Sequence, residues 1–209
     1  MVGCDDSATD SVASEASVCS TFGSSWWNQS FAEQQQRFHV EFAVTPSRSN
    51  TDAVVGLARG PASTWTNLAA IVRFNPQGMI DARSGGVYRA DVSAPYQAGT
   101  TYYVRFDVDV PAHTYTTRVG TQPGVWTWTI GTNYSFRTEQ ANVTALDHIA
   151  GFVSVSPGGT MQICDVAVVS DQPPAGCTSQ SKSSGYANHA TTASTTVQIV
   201  SVDARPSGW

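Results

Sequence analysis

Hydrophobic and polar residues alternate along most of the middle of the chain. Over residues 37–44, Phe38, Val40, Phe42 and Val44 fall on one side, and Arg37, His39 and Glu41 on the other. Over 101–110, Tyr102, Val104, Phe106, Val108 and Val110 alternate with Tyr103, Arg105, Asp107 and Asp109. A period of two is the mark of a half-buried strand, since successive side chains point to opposite sheet faces. The same reading predicts strands over 52–57, 69–75, 79–83, 114–119, 125–130, 149–155 and 161–169, with one more over 196–202. Turn signals separate them, among them Asn75-Pro76-Gln77-Gly78, Ser84-Gly85-Gly86, Gln122-Pro123-Gly124 and Pro157-Gly158-Gly159. Short strands broken by turns every ~8–12 residues predict an antiparallel all-β sandwich or barrel. No helical period competes.

Extending the alternation puts Val72, Phe74, Ile80 and Ala82 inside, and therefore Arg73, Asn75, Asp81 and Arg83 outside. The polar positions then gather Arg73, Arg83 and Arg105 beside Tyr103 and His39, and we expect them on one sheet face. A wet sheet face is polar in any case. The arginines stand out because charged residues make up only 13% of the chain, about half the usual ~25%.

The 209 residues suit one domain with tails. Residues 1–18 carry Ser, Asp, Ala and Thr without an aromatic ring and read as a flexible leader. Residues 19–170 hold the strand pattern. Residues 171–209 read as a Ser/Thr-rich linker whose strand at 196–202 could add to another copy's sheet edge. A net charge of −5 without a basic stripe argues against nucleic acid as a partner. No apolar run reaches the ~18 residues of a membrane-spanning helix. Cys4, Cys19, Cys164 and Cys177 allow three pairings and contain no C-x-x-C, which favours disulfides in an oxidising compartment over a zinc site. Val2-Gly3-Cys4 resembles the end of a bacterial lipoprotein signal, so the expected location is extracellular or on the cell surface, anchored through Cys4 in the natural precursor.

The chain also carries a family resemblance. It runs through Trp27-Asn28, Phe31 and Gln34, FHVEFAVTP at 38–46, DAVVGL at 52–57, LAAIVRFN at 68–75 and GMIDARSGG at 78–86. It continues through Tyr88, YQAG at 96–99, YYVR at 102–105, PAHTY at 111–115, NYSFRTEQ at 133–140 and ICDV at 163–166. Over residues 19–170 these segments resemble the concanavalin A-like, laminin-G-like jelly-roll modules of secreted bacterial polysaccharide-degrading proteins. The resemblance implies a two-sheet antiparallel jelly roll. It also implies a Cys19–Cys164 disulfide, leaving Cys177 to pair with Cys4 or stay free.

Retaining glucanases of this fold place carboxylates at E-x-D-x-x-E or E-x-D-x-E spacing, because nucleophile and acid must flank one bond. Glu15, Glu33, Glu41 and Glu139 are the only glutamates, and none has that spacing. Alginate lyases of the fold resemble R-x-E-x-R, Q-[IV]-H and Y-F-K-A-G-x-Y-N-Q. Here Arg137-Thr138-Glu139-Gln140, Gln162-Ile163-Cys164 and Tyr96-Gln97-Ala98-Gly99 keep fragments only. No G-x-S-x-G elbow is present.

The residues suit binding better than catalysis. Aromatic rings stack on the apolar faces of sugars, and planar polar groups take their hydroxyls. Trp65 lies in a polar loop, Trp126 and Trp128 fall on one face of the strand predicted at 125–130, and Trp26 and Trp27 point to opposite faces if extended. Arg73, Arg83 and Arg105 could fork a uronate carboxylate, so replacing Arg105 is expected to weaken uronate binding. Asp107 with Asp109, or Asp52 with Asn50, are the oxygen donors a structural calcium would take. The expected function is a non-catalytic carbohydrate-binding module for polysaccharide. The alternatives are a self-assembling surface or adhesion protein and a uronate-cleaving lyase.

Overall fold

The computed structural model describes residues 17–171. The leader through residue 16, Cys4, Cys177 and the candidate strand at 196–202 lie outside the described residues. Twelve strands form: β1 Cys19–Phe22, β2 Trp27–Gln34, β3 Arg37–Pro46, β4 Ala53–Ala58, β5 Leu68–Phe74, β6 Ile80–Ser84, β7 Val87–Arg89, β8 Tyr102–Asp109, β9 Thr114–Gly120, β10 Trp128–Ser135, β11 Leu146–Val153 and β12 Met161–Ser170. They make two six-stranded antiparallel sheets. Sheet A runs β1-β12-β3-β8-β9-β10 and sheet B runs β2-β11-β4-β5-β6-β7, a two-sheet jelly roll.

The predicted inner faces are the observed ones. Phe38, Val40, Phe42 and Val44 of β3 and Tyr102, Val104, Phe106 and Val108 of β8 are buried. They meet Val55, Leu57, Val72, Phe74, Ile80 and Ala82 of sheet B in one core. Three strands carried no clear alternation: β1 and β7, which are very short, and the edge strand β2.

Cys19 and Cys164 face each other in the β1–β12 ladder, with Cα atoms 4.1 Å apart, and form the disulfide the resemblance implied. A bulge follows Cys164, where Asp165 takes φ 55°. Its carboxylate accepts from the Ser17 hydroxyl and the Val18 N–H, which ties the start of the described chain to β12.

Tyr115 of β9 joins the two sheets. Its hydroxyl reaches across the core to the carbonyls of Ile71 in β5 and Arg83 in β6. The β5–β6 ladder runs from Phe74↔Ile80 to Val72↔Ala82, so the hydroxyl binds both strands just beyond its last pair. Further along β5, the Ala69 carbonyl accepts from the Arg137 N–H at 2.9 Å. This opening between β5 and β6 brings Arg137 beside Arg83.

Candidate functional site

Alternation assigns each residue to the inside or the outside, but not to one sheet or the other. The expected row of residues therefore divides. Arg73 and Arg83 stand on sheet B, whereas Arg105, Tyr103 and His39 stand on sheet A, across the sandwich. The expectation of one shared face is overturned.

On sheet A the charges satisfy one another. Arg105 donates to Glu41 and Asp107, each at 2.7 Å, and Arg118 also binds Asp107. Arg37 pairs with Asp109 at 2.7 Å, and the Ala112 N–H also donates to that carboxylate. Asp109 is held below the ordinary carboxylate range by that N–H and, despite slight burial, by Arg37. His39 Nδ1 lies 3.1 Å from Asp171. Asp107 and Asp109 are thus engaged by cations, and among the described residues no group of three acidic, His or Cys side chains could hold a metal. Tyr103 lines a pocket with Trp126, Glu41 and Asp165. Trp126 lies in the turn before β10 rather than on a strand with Trp128, and Trp128 packs against the core. The shared strand face expected for the two indoles is not formed.

The outer face of sheet B is built differently. Val54 and Ala58 of β4, Leu68 and Ile71 of β5 and Ala150 of β11 form a second apolar cluster there with Ala62, each at most 3% exposed. Residues 59–67 cross this floor. Asn28 anchors them through a reciprocal amide pair with Ala62, at 3.0 and 2.7 Å. Thr64 and Asn67 cap a 3₁₀ turn over Trp65–Asn67, and Gln140 donates to the Thr66 carbonyl at 2.6 Å. Trp65 is thereby laid over the cluster beside Trp26, Tyr88 and Phe152. Trp26 and Trp27 do point to opposite faces, since Trp27 packs into the main core.

Next to Trp65 a pocket of about 260 Å³ is lined by Asp52, Arg73, Arg83, Tyr88 and Arg137. Arg73 donates two hydrogen bonds to Asp81, at 2.9 and 2.7 Å, and its guanidinium lies 3.9 Å over the Tyr88 ring. Asn75 also donates to Asp81, at 2.8 Å, and this residue is buried although it belongs to the outer face. Burial works against the Arg73 charge. The Asp81 hydrogen bonds and charge outweigh it and hold the guanidinium protonated beyond its ordinary range. Arg137 donates to Glu139 at 3.1 Å; its Nε lies 2.9 Å from the same carboxylate without hydrogen-bond alignment. Arg83 sits 5.0 Å over Tyr88 and gives its Nε to the Gly85 carbonyl at 3.0 Å. Among the described residues no carboxylate lies within ion-pair distance of Arg83. Tyr88 is pushed up by burial, against the opposing pull of Arg73, Arg83 and Arg137, so its phenol stays neutral. Asp52 accepts from the Ser154 hydroxyl at 3.2 Å.

The structure thus joins Arg73, Arg83 and Trp65 of the expected sugar-binding set with Tyr88, with Asp52, read in the sequence as a calcium donor, and with Arg137, read as part of a lyase-like fragment. The pocket offers guanidinium donors, one carboxylate acceptor and two aromatic walls.

No protein-family model matches the chain, and no curated protein sequence matches it. Solved structures do. A sialidase aligns with TM-score 0.54 at 13% identity over 75% of this chain, and the chain spans 15% of that protein's length. A GH131 β-glucanase catalytic domain from Podospora anserina aligns at TM-score 0.49 and 11% identity, covering 75% of this chain and 73% of that one. CG-16, a homodimeric agglutinin from chicken liver, aligns at 0.45 and 14%, covering 68% of this chain and 98% of that one. At 13% identity the sialidase likeness concerns the fold alone, in agreement with the two-sheet antiparallel jelly roll.

Proposed function

We propose that this domain is a non-catalytic carbohydrate-binding module of an exported bacterial protein, and that it takes an acidic sugar in the sheet B pocket. The observation that carries the reading is Arg83. Its guanidinium forms no contact ion pair with a carboxylate partner among the described residues, Glu139 acting on it only from a distance, and it lines a pocket walled by Trp65 and Tyr88. A sugar carboxylate would be that partner, while Asp52 accepts from ring hydroxyls and the aromatic walls cover C–H faces. Binding is favoured over uronate cleavage because proton abstraction needs a competent base. Tyr88 is held neutral, no histidine is among the pocket-lining residues, and the one carboxylate there, Asp52, is engaged by the Ser154 hydroxyl. The Cys19–Cys164 disulfide suits an oxidising, extracellular setting, and among the described residues no helix is long and apolar enough to cross a membrane.

Arg83→Ala is the cleanest probe, because Arg73→Ala would strand the buried Asp81. Calorimetric titration with galacturonate should show binding that neutral galactose lacks. Arg83→Ala should weaken it by about 1.5–3 kcal/mol, the range for hydrogen bonds to charged groups, with the melting temperature unchanged. Equal affinity of parent and variant would remove Arg83 from the site. No galacturonate binding, with appearance of an unsaturated product from polyuronate, would favour the lyase reading instead.

A further inference from the structure

Among the described residues, every phenylalanine, tyrosine and tryptophan belongs to one of the two apolar clusters except Tyr103 and Trp126. Both are half-buried, and neither makes a hydrogen bond or a ring contact among the described residues. Yet they line one pocket of about 290 Å³ on sheet A. The fold brings them there. Tyr103 of β8 has Gly120 of β9 as its ladder partner. A Cβ on Gly120 would collide with the Val125 carbonyl oxygen, so only glycine lets the turn after β9 fold back onto the strand. Gln122 and Val125 bridge within that turn, and Trp126 follows directly. Ala43 of β3 and Ala167 of β12 line the pocket with methyl groups, which leaves the room longer side chains would fill.

The charged residues lining this pocket are Glu41 and Asp165, and none is basic. Glu41 accepts from Arg105 at 2.7 Å. Asp165 accepts from the Ser17 hydroxyl and the Val18 N–H, and among the described residues no cation lies within ion-pair distance of it. The pocket thus presents aromatic surface beside a carboxylate without a counter-ion, the opposite charge to the arginine pocket of sheet B. We infer that it binds an organic ammonium group, with Tyr103 and Trp126 supplying the aromatic surface and Asp165 the opposite charge. A cation is attracted by the electron-rich face of an aromatic ring and by a carboxylate alike, so both features favour one ligand. An acidic sugar would meet repulsion from Asp165, and a neutral one would leave that charge unanswered. The net charge of −5 also draws cations to the chain. This site is independent of the sheet B pocket and of the acidic sugar proposed there.

The test is calorimetric titration of the whole chain with choline and with glucosamine, at a pH that keeps the amine protonated. Each is compared with an uncharged counterpart: the choline analogue with a tert-butyl group in place of trimethylammonium, and glucose. The ammonium probes should bind about tenfold more tightly than their counterparts, and a preference between the two tells an alkylammonium group from an amino sugar. Trp126→Ala should weaken ammonium binding about tenfold, and Trp126→Phe should recover part of it. Asp165→Asn keeps an acceptor oxygen but removes the charge; it should weaken binding about threefold, by a margin that shrinks at high salt. Should Trp126→Ala not fold, the indole N–H resonance of Trp126 in the parent replaces it and should shift as choline is added. A resonance that stands still through saturation would overturn the site. Equal affinity for charged and uncharged probes would overturn the inference, as would full affinity in Trp126→Ala or no binding of either ammonium probe.

Discussion

Thr117 shows how single residues depart from the overall pattern. It sits on β9 in ladder register with Phe106 and is fully buried, yet among the described residues its hydroxyl has no hydrogen-bond partner. A buried polar group without a partner costs about 1–3 kcal/mol in protein mutational data. Valine has the same shape with a methyl in place of the hydroxyl. Thr117→Val is therefore expected to stabilise the domain by about 1–2 kcal/mol, read as a higher denaturant midpoint at unchanged slope. A lower midpoint would show that the hydroxyl is satisfied in solution. Residue-scale reasoning also separates the three pocket arginines. Asp81 pins Arg73 and Glu139 engages Arg137, whereas Arg83 is oriented by a backbone carbonyl and forms no contact ion pair among the described residues.

At the scale of elements, the loop over sheet B depends on Gly56 at the centre of β4. A Cβ there would lie 2.6 Å from the Ala70 carbonyl oxygen and 3.1 Å from Leu68 Cδ1. Because the carbonyl is backbone, relief requires β4 and β5 to separate under the floor that supports Trp65. Gly56→Ala should cost about 1–3 kcal/mol, as overpacking does, and shift tryptophan fluorescence to the red as Trp65 loosens. An unchanged melting temperature and spectrum would show that the floor can give. The strands themselves were largely legible, because two-residue alternation is forced by pleated geometry; Phe38 to Val44 and Tyr102 to Val110 lie on the sides the sequence indicated. The site was legible only in part. Trp65 could be read as an aromatic in a polar loop, and Arg73 and Arg83 as outward-facing. What alternation could not supply was sheet membership, which moved Arg105, Tyr103 and His39 to the far side. Tyr88 lies on a three-residue strand and Arg137 beside a 3₁₀ turn, segments too short to show a period. Arg137 stood in the sequence only within the family-like stretch NYSFRTEQ and its lyase-like fragment RTEQ, and Tyr88 only within the family resemblance.

Across the whole molecule, buried tyrosines tie distant parts of the sandwich together. Tyr115 links sheet A to the β5 and β6 carbonyls of sheet B. Tyr96, in the connection between β7 and β8, reaches the carbonyls of Thr51 and Asn75 at 2.9 and 2.7 Å. Tyr134 donates to Asp91 at 2.8 Å. Burial raises all three, with Tyr96 and Tyr134 pushed up to about 12 and Tyr115 further still. A phenolate loses its charge on taking a proton, so a raised value in the fold means that the folded state keeps protons the unfolded chain has released. The stability these groups contribute is therefore complete below the unfolded value near 10 and is lost as pH climbs through the folded values. For Tyr96 alone the interval from 10 to about 12 amounts to about 2–3 kcal/mol. Tyr115, whose phenolate would lie inside the core, extends the effect to still higher pH. The domain should thus hold its melting temperature up to about pH 10 and then lose it steeply, with part of the tyrosinate absorbance appearing only as the fold opens. Tyr96→Phe removes the titrating group along with two backbone contacts, so it should lower stability at neutral pH yet flatten the alkaline decline. A tyrosinate titration completed near pH 10 with the fold intact would show that these phenols are not buried in solution.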